Sequence, residues 1–213
     1  MIDRQRDNRR RYNRLSKFYD ATLQIGSLGT IGRMYQALAD AVPPCPGGTL
    51  IEFGCGPGNV TPYLRPLVGD AGRIVGVDLS DGMIEKAQAR AEREGWSNVR
   101  YERRDILDFE SDKEADAVVF SLSLTAMPEC GRSLERAWSI LRPGGCMAIL
   151  DSLPDPGHPF INWIIHRKAP HVGAVPTDEP IAFANEKLED VGFERLSMGV
   201  YQILSGRKPL ATV

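Results

Sequence analysis

The chain contains no run of apolar residues long enough to cross a bilayer, for which about 20 consecutive residues are needed. It has only four cysteines, Cys45, Cys55, Cys130 and Cys146, and their spacings match no zinc or redox motif. Its first residues also lack the apolar stretch of a secretory signal. We therefore expect a cytoplasmic protein with reduced structural thiols and no metal site.

One glycine is missing from an otherwise clear nucleotide-type motif. Residues 50–58 read Leu-Ile-Glu-Phe-Gly-Cys-Gly-Pro-Gly, and a second apolar run ends at Asp78. A dinucleotide fingerprint needs glycine at its sixth position, where this chain has Asn59. Glycines let the backbone approach a ligand closely, and a carboxylate after the next strand can accept both ribose hydroxyls. The motif predicts a site for an adenosine-containing cofactor that is not a dinucleotide.

Strand and helix patterns alternate along most of the chain, which predicts an α/β fold with a parallel, doubly wound sheet. The predicted strands are 49–53, 73–78, 99–103, 115–120, 146–151, 193–198 and 200–206. The predicted helices are an amphipathic segment carrying Tyr12, Leu15, Tyr19 and Leu23, and then 34–42, 61–67, 81–94, 133–141 and 181–191. Only Gly199 separates the last two strands, so we expect them to be antiparallel.

The pattern Glu-x-Gly-x-Gly-x-Gly resembles motif I of the class I S-adenosylmethionine-dependent methyltransferases, and the resemblance covers about residues 45–151 in matching order. It implies a Rossmann-like seven-stranded sheet with the last strand antiparallel, preceded by N-terminal helices. It also implies S-adenosyl-L-methionine as the cofactor. The residues implied as its contacts are Tyr19, Glu52, Gly54, Cys55, Gly56, Gly58, Asp78, Leu79, Met83, Asp105, Ile106, Ser121 and Leu122.

The resemblance gives several of these residues a role. It implies that Glu52 anchors the cofactor's amino group, through the turn or through water, that Asp78 binds the ribose, and that Ser121 and Leu122 line the methionine arm. Met83 packs on one adenine face, while Asp105 recognises the adenine amino group. Taken singly, Asp78 could be a solvated strand end, Met83 a core residue and Asp105 a helix cap.

The chemistry needs little from the protein beyond alignment of donor and acceptor and exclusion of water, because methyl transfer is an in-line displacement. His158 and His171 lie in an insertion at about residues 152–180 and are candidate catalytic bases, the alternative being surface or packing histidines. The segment 12–20 resembles the quinone-biosynthesis and bacterial phospholipid and betaine-lipid N-methyltransferases. In those families a leading tyrosine often closes over the cofactor, which implies that role, beside the chemistry, for Tyr19.

Charge is distributed unevenly. Residues 1–19 carry seven basic and two acidic side chains, a net +5, which leaves −7 for the rest. We expect residues 1–44 to form a basic helix and lid or substrate region, and residues 45–213 to form the cofactor-binding domain. Residues 1–19 are predicted to contact an anionic membrane peripherally; the alternative is a lid whose arginines are solvated.

These features favour N-methylation of a lipid amine head group such as phosphatidylethanolamine, with a quinone precursor or another soluble small molecule as the alternative acceptor. A nucleic-acid methyltransferase is disfavoured, because no Asn-Pro-Pro-Tyr-like element follows the fourth strand and the rest of the chain is acidic. We expect no nucleic-acid partner. A non-catalytic cofactor-binding protein stays open as a third class.

Overall fold

The computed structural model describes residues 29–155 and 157–211, with the side chains of 170–172 left aside. Seven strands form one sheet: β1 Thr49–Phe53, β2 Arg73–Asp78, β3 Val99–Arg103, β4 Ala115–Ser121, β5 Leu141–Asp151, β6 Glu189–Leu196 and β7 Tyr201–Arg207. Six α-helices accompany them in the described ranges: α1 Ile31–Asp40, α2 Thr61–Val68, α3 Asp81–Arg93, α4 Cys130–Ile140, α5 Pro159–Val172 and α6 Glu179–Lys187.

The strand order is β3-β2-β1-β4-β5-β7-β6. The first five strands run parallel, and β7 is antiparallel to both β5 and β6. The Rossmann-like sheet with an antiparallel last strand is therefore confirmed, as is the antiparallel closing pair. The order reverses between β1 and β4, and ligands of open α/β sheets bind at such a point, beyond the carboxyl ends of the strands.

Helices cover both faces of the sheet because the strand side chains alternate between two apolar layers. Along β1, Leu50 packs in the layer that contains Leu38 of α1 and Leu64 of α2. Its neighbour Ile51 packs in the opposite layer, with Leu134 of α4 and residues of α6. This alternation is the period of two that a buried strand imposes. It anchors β1 on both faces, so the turn that follows β1 starts from a fixed point.

The structure moves several predicted boundaries in the last third of the chain. The helix predicted over 181–191 ends at Lys187, and β6 already begins at Glu189. Pairing of Glu189 with Arg207 of β7 overrides the helical pattern there, because strand formation depends on the partner strand more than on local propensity. The predicted turn at 142–145 is a bulge within β5, and the 152–180 insertion contains the unpredicted helix α5.

The four cysteines are free, which agrees with the expected reduced structural thiols. Burial raises the pKa of the Cys130 thiol to about 12 and that of Cys146 to about 11. Thiols with such a raised pKa are poor nucleophiles. Within the described ranges, no helix combines the length and the apolar character that crossing a bilayer would require.

Candidate cofactor site

The turn after β1 follows a path that favours glycine. Gly54, Gly56 and Gly58 have φ values of 67°, 51° and 73°, in the left-handed region that other residues rarely adopt. A Cβ atom on Gly54 would also lie 2.3 Å from Cβ of Ser123, the residue two positions beyond β4. The amides of Gly54 and Cys55 donate to the carbonyl oxygen of Val77 at 2.8 and 3.1 Å, which ties the turn to the end of β2.

Asp78 ends β2 and connects two walls of the site. Its Oδ2 accepts a hydrogen bond from the amide of Gly56 at 2.9 Å, and its Oδ1 accepts one from the amide of Ser80 at 2.8 Å. Burial raises the pKa of Asp78, and these backbone donors oppose the rise. Each carboxylate oxygen has a second acceptor site, so the group can bind hydroxyls as well.

Glu52 lies beneath the turn and is 1% exposed. Its Oε2 has no hydrogen-bond partner among the described residues. Burial, and then the negative charge of Asp78, raises the pKa of Glu52 to about 8, while a hydrogen bond with Thr61 opposes that rise. A buried carboxyl in this position is disfavoured as an anion until a cationic group comes near it.

The far end of the site is built on α3 and on the residues after β3. Met83 is 1% exposed, and its amide donates to the side chain of Ser80, the residue that caps α3. Asp105 follows β3, and its Oδ1 accepts from the amide of Leu107 at 3.0 Å, which begins the 3-10 helix Ile106–Asp108. Met83 and Ile106 thus line the same cleft as two carboxylates, Asp78 and Asp105, which lie at or just after the ends of neighbouring strands.

The opposite wall follows β4. Leu122 has φ 52°, a strained value for leucine, and the Ser123 hydroxyl donates to the carbonyl oxygen of Phe53 at 2.8 Å. Asp151, at the end of β5, accepts from the amide and the hydroxyl of Thr125 at 3.0 and 2.8 Å. This buried pair fixes the 3-10 helix of residues 124–126 over the sheet.

Together these walls line an open cleft of about 890 Å³, a volume that includes solvent space at its mouth. Eight residues singled out in the sequence line it: Gly54, Gly56, Asp78, Leu79, Met83, Asp105, Ile106 and Leu122. Residues that line it without having been singled out are Val77, Ser80, Arg104, Leu107, Ser123, Ala126, Met127, Pro128, Glu129 and Ser133. Most of these follow strand ends, so position after a strand was the signal that could have found them.

Four other proposed contacts, Glu52, Cys55, Gly58 and Ser121, are described by the structure and are not among the residues that line the cleft. The Cys55 side chain packs with Ala87 and Tyr101 behind the turn, and Ser121 is buried at the end of β4. Glu52 is a buried residue of β1, and a Cβ atom on Gly58 would meet the Tyr101 hydroxyl. Tyr19 lies outside the described residues, and the side chain of His171 belongs to the part that is left aside.

His158 comes just before α5 and is not among the residues that line the cofactor cleft, and about half of its side chain is exposed. Its Nδ1 lies 3.1 Å from Oδ2 of Asp155, and the same oxygen accepts from Nε of Arg195 at 2.5 Å. A carboxylate on Nδ1 fixes the orientation of an imidazole and leaves Nε2 as the proton acceptor.

Residues 50–145 match the family model described as a methyltransferase domain. Over 93% of its length the chain is 25% identical to a demethylmenaquinone methyltransferase of Desulfitobacterium hafniense, and it covers 88% of that protein. It is 30% identical, over 66% of its length, to a 2-phytyl-1,4-naphtoquinone methyltransferase of a Nostoc species, of which it covers 62%. The chain is a class I S-adenosylmethionine-dependent methyltransferase.

The fold is also similar to that of a solved methyltransferase. The methyltransferase superposes on the N-methyltransferase NodS of Bradyrhizobium japonicum WM9, solved with S-adenosyl-L-homocysteine, with a TM-score of 0.59. The two are 20% identical, and the match covers 76% of this chain and 78% of NodS. At this identity the likeness concerns the fold alone.

The cleft of the methyltransferase fits S-adenosylmethionine. Asp78 at the end of β2 and Asp105 after β3 supply carboxylates to its lining, and Met83 and Ile106 supply apolar surface. The unpartnered Oε2 of buried Glu52 lies below the turn, where a cationic ligand would stabilise its ionised form. An adenosine with a cationic arm satisfies both requirements.

Proposed function

We propose that the residues of the site each bind a different part of the cofactor. Asp78 accepts the ribose hydroxyls, Met83 and Ile106 hold the adenine, and Asp105 recognises its amino group. The glycine turn and Leu122 flank the methionine arm, with Glu52 acting on the amino group through the turn. When bound, the cofactor supplies an electrophilic methyl group, and these residues only bind and orient it.

For the acceptor we propose a naphthoquinone precursor of the demethylmenaquinone type. The observation that carries this proposal is the extent of the similarity to the Desulfitobacterium enzyme. It runs over 93% of this chain, well beyond the cofactor half at 50–145. The segments that are left to bind the acceptor lie outside that half and include the 152–180 insertion. Carbon methylation of such a ring requires that the acceptor lose one proton.

His158 is the proposed acceptor of that proton, because Asp155 orients its Nδ1 and leaves Nε2 available. We expect His158→Gln to lower kcat about 100-fold with little change in KM for S-adenosylmethionine, since general bases contribute at least that factor. His166→Gln, an exposed histidine on α5, is the matched control and should stay near wild type. Equal kcat values for both variants would remove His158 from the mechanism. Roles for His171 and Tyr19 stay predictions.

A second candidate acceptor is a lipid amine head group such as phosphatidylethanolamine. The net charge of +5 in residues 1–19 favours it, because each basic residue near an anionic surface contributes about 1 kcal/mol of binding. In this proposal residues 1–44 form the acceptor side of the enzyme and residues 45–213 the cofactor side. Deleting residues 1–14 should then weaken vesicle binding more than thermal stability; unchanged flotation would contradict the membrane role of this segment.

One assay separates the candidates. Labelled S-adenosylmethionine is incubated with the enzyme and a demethylated naphthoquinone, phosphatidylethanolamine vesicles, or a soluble metabolite extract. Label in the naphthoquinone supports the first proposal, and label in the aminophospholipid supports the second. Label only in the soluble extract would contradict both, and would assign the enzyme to a small polar acceptor.

A further inference from the structure

Helix α5 turns two aromatic rings toward solvent. Phe160 is 70% exposed and Trp163 59% exposed, and their rings stack with centroids 6.1 Å apart and planes 18° from parallel. The opposite side of the helix holds it to the protein through Ile165 and Ala169, which are 1% and 4% exposed. Large aromatic residues usually bury most of their surface, so an exposed stacked pair indicates a contact surface.

Two exposed basic residues follow the aromatic pair on α5. The Arg167 guanidinium lies 5.8 Å from the centre of the Trp163 ring, and Lys168 is exposed beside it. The helix contains no aspartate or glutamate. We call Phe160, Trp163, Arg167 and Lys168 the aromatic-basic face. Exposed aromatic rings with adjoining basic residues are typical of helices that lie in the interface of an anionic bilayer.

The start of the helix is fixed rather than loose. The Asn162 side chain accepts from the amide of Asp155 at 2.7 Å and donates to its carbonyl oxygen at 2.8 Å. In the 3-10 turn Ser197–Gly199 before β7, Met198 is 89% exposed, with φ 58°. A Cβ atom on the adjoining Gly199 would lie 3.8 Å from Cγ2 of Ile161, so this exposed apolar side chain is one residue from a point where the turn adjoins α5.

We propose that the aromatic-basic face, with Met198 beside it, docks the methyltransferase on an anionic lipid bilayer. Charge complementarity selects this partner, because cations flank the exposed rings and α5 carries no acid that would repel lipid phosphates. The proposal rests on the proposed function in one respect: an acceptor with a long isoprenoid chain partitions into the bilayer. Phe160 and Trp163 insert among the head groups, and Arg167 and Lys168 pair with phosphates.

The test is flotation of the full chain with phosphatidylcholine vesicles that contain or lack phosphatidylglycerol. We expect binding to the anionic vesicles that weakens as salt is raised. The double variant Phe160→Ser, Trp163→Ser should bind at least tenfold more weakly. The matched control is Leu210→Ser, which removes another exposed apolar side chain, 75% exposed and outside α5. This control should bind like wild type, and thermal melting and S-adenosylhomocysteine affinity should stay unchanged in both.

A second pair of changes tests the charge. Arg167→Glu with Lys168→Glu should lower binding to the anionic vesicles more than tenfold and leave the weak binding to neutral vesicles unaltered. Equal wild-type binding to both vesicle types would overturn the proposal, as would flotation of the double serine variant at the wild-type level. A wild type that is dimeric by light scattering, a monomeric double serine variant and unchanged flotation would together reassign the face to a contact between two copies.

Flotation needs no methyl acceptor, so it is independent of the acceptor assay. Methyl transfer to a water-soluble naphthoquinone without flotation would overturn the docking surface and keep the proposed function. Flotation that depends on the aromatic-basic face, without any transfer to a quinone, would support the surface and overturn the proposed acceptor.

Discussion

Replacing Asp78 by alanine is predicted to abolish cofactor binding without unfolding the protein. The carboxylate is proposed to accept both ribose hydroxyls, and each hydrogen bond to a charged group contributes about 1.5–3 kcal/mol. Losing two such bonds removes about 3–6 kcal/mol, which corresponds to a roughly 10²–10⁴-fold weaker affinity. Calorimetric titration with S-adenosylhomocysteine measures this directly.

The fold should survive the same change. Alanine leaves the amides of Gly56 and Ser80 without their side-chain acceptor, but it also removes a carboxylate whose ionisation burial disfavours. These effects oppose one another, so we expect the free energy of unfolding to change by less than about 2 kcal/mol. Thermal melting in the absence of ligand checks this expectation.

Two further variants make the result specific. Asp78→Asn keeps the shape and one acceptor oxygen and should weaken binding about 10–100-fold, between wild type and alanine. Asp70→Ala removes a fully exposed carboxylate in the loop after α2 and should bind like wild type. Wild-type affinity in Asp78→Ala would refute the ribose assignment, and an unfolded Asp78→Ala would refute the balance of effects on stability.

Three other changes test the supports of the cleft. Because burial raises the pKa of Glu52 from its usual 4.5 to about 8, the unfolded chain loses this proton at a lower pH than the folded protein does. The free energy of unfolding of the ligand-free protein should therefore fall by about 3–4 kcal/mol between pH 5 and pH 8. Melting of Glu52→Gln across that range should show no such loss, and parallel curves for both proteins would contradict the assignment. Thr125→Val should lower the free energy of unfolding by about 1–3 kcal/mol, because one Asp151 oxygen loses its hydroxyl donor. Thr125→Ser keeps that donor and is the control. Equal denaturant midpoints for wild type and Thr125→Val would contradict this role of the hydroxyl. Gly54→Ala should destabilise the protein more than Gly47→Ala. Both glycines have positive φ, but only the methyl group at position 54 would meet a neighbour, Cβ of Ser123 at 2.3 Å. A larger loss of stability in Gly47→Ala would exclude the clash.

The cofactor half of the site was predictable because its signals are local. The glycine turn follows the buried strand β1, Asp78 is the last residue of β2, and Asp105 comes two residues after β3. Each signal thus marks the carboxyl end of a strand, and the ends of parallel strands meet at one edge of the sheet. The β4 wall was harder to foresee. Ser123 contributes to the wall through its hydrogen bond to Phe53 and its position against Gly54, both about 70 positions away. No local sequence pattern predicts such a contact.

The last third of the chain shows the same limit. The segment at Glu189 is strand because it pairs with Arg207, although its sequence continued a helical pattern. Helix α5 has apolar residues on both sides, so its sequence did not reveal which side would be buried. Only packing against the rest of the fold left Trp163 exposed and Ile165 covered.

The sequence by itself determined the alternation of strands and helices, the antiparallel closing pair and the class of cofactor. Each of these depends on residues close together in the chain, where spacing and backbone preference carry the information. The tertiary structure decided which side chains line the cleft, how burial raises the pKa of Glu52, and which face of α5 meets solvent. Those properties depend on distances between remote segments, and folding alone sets them.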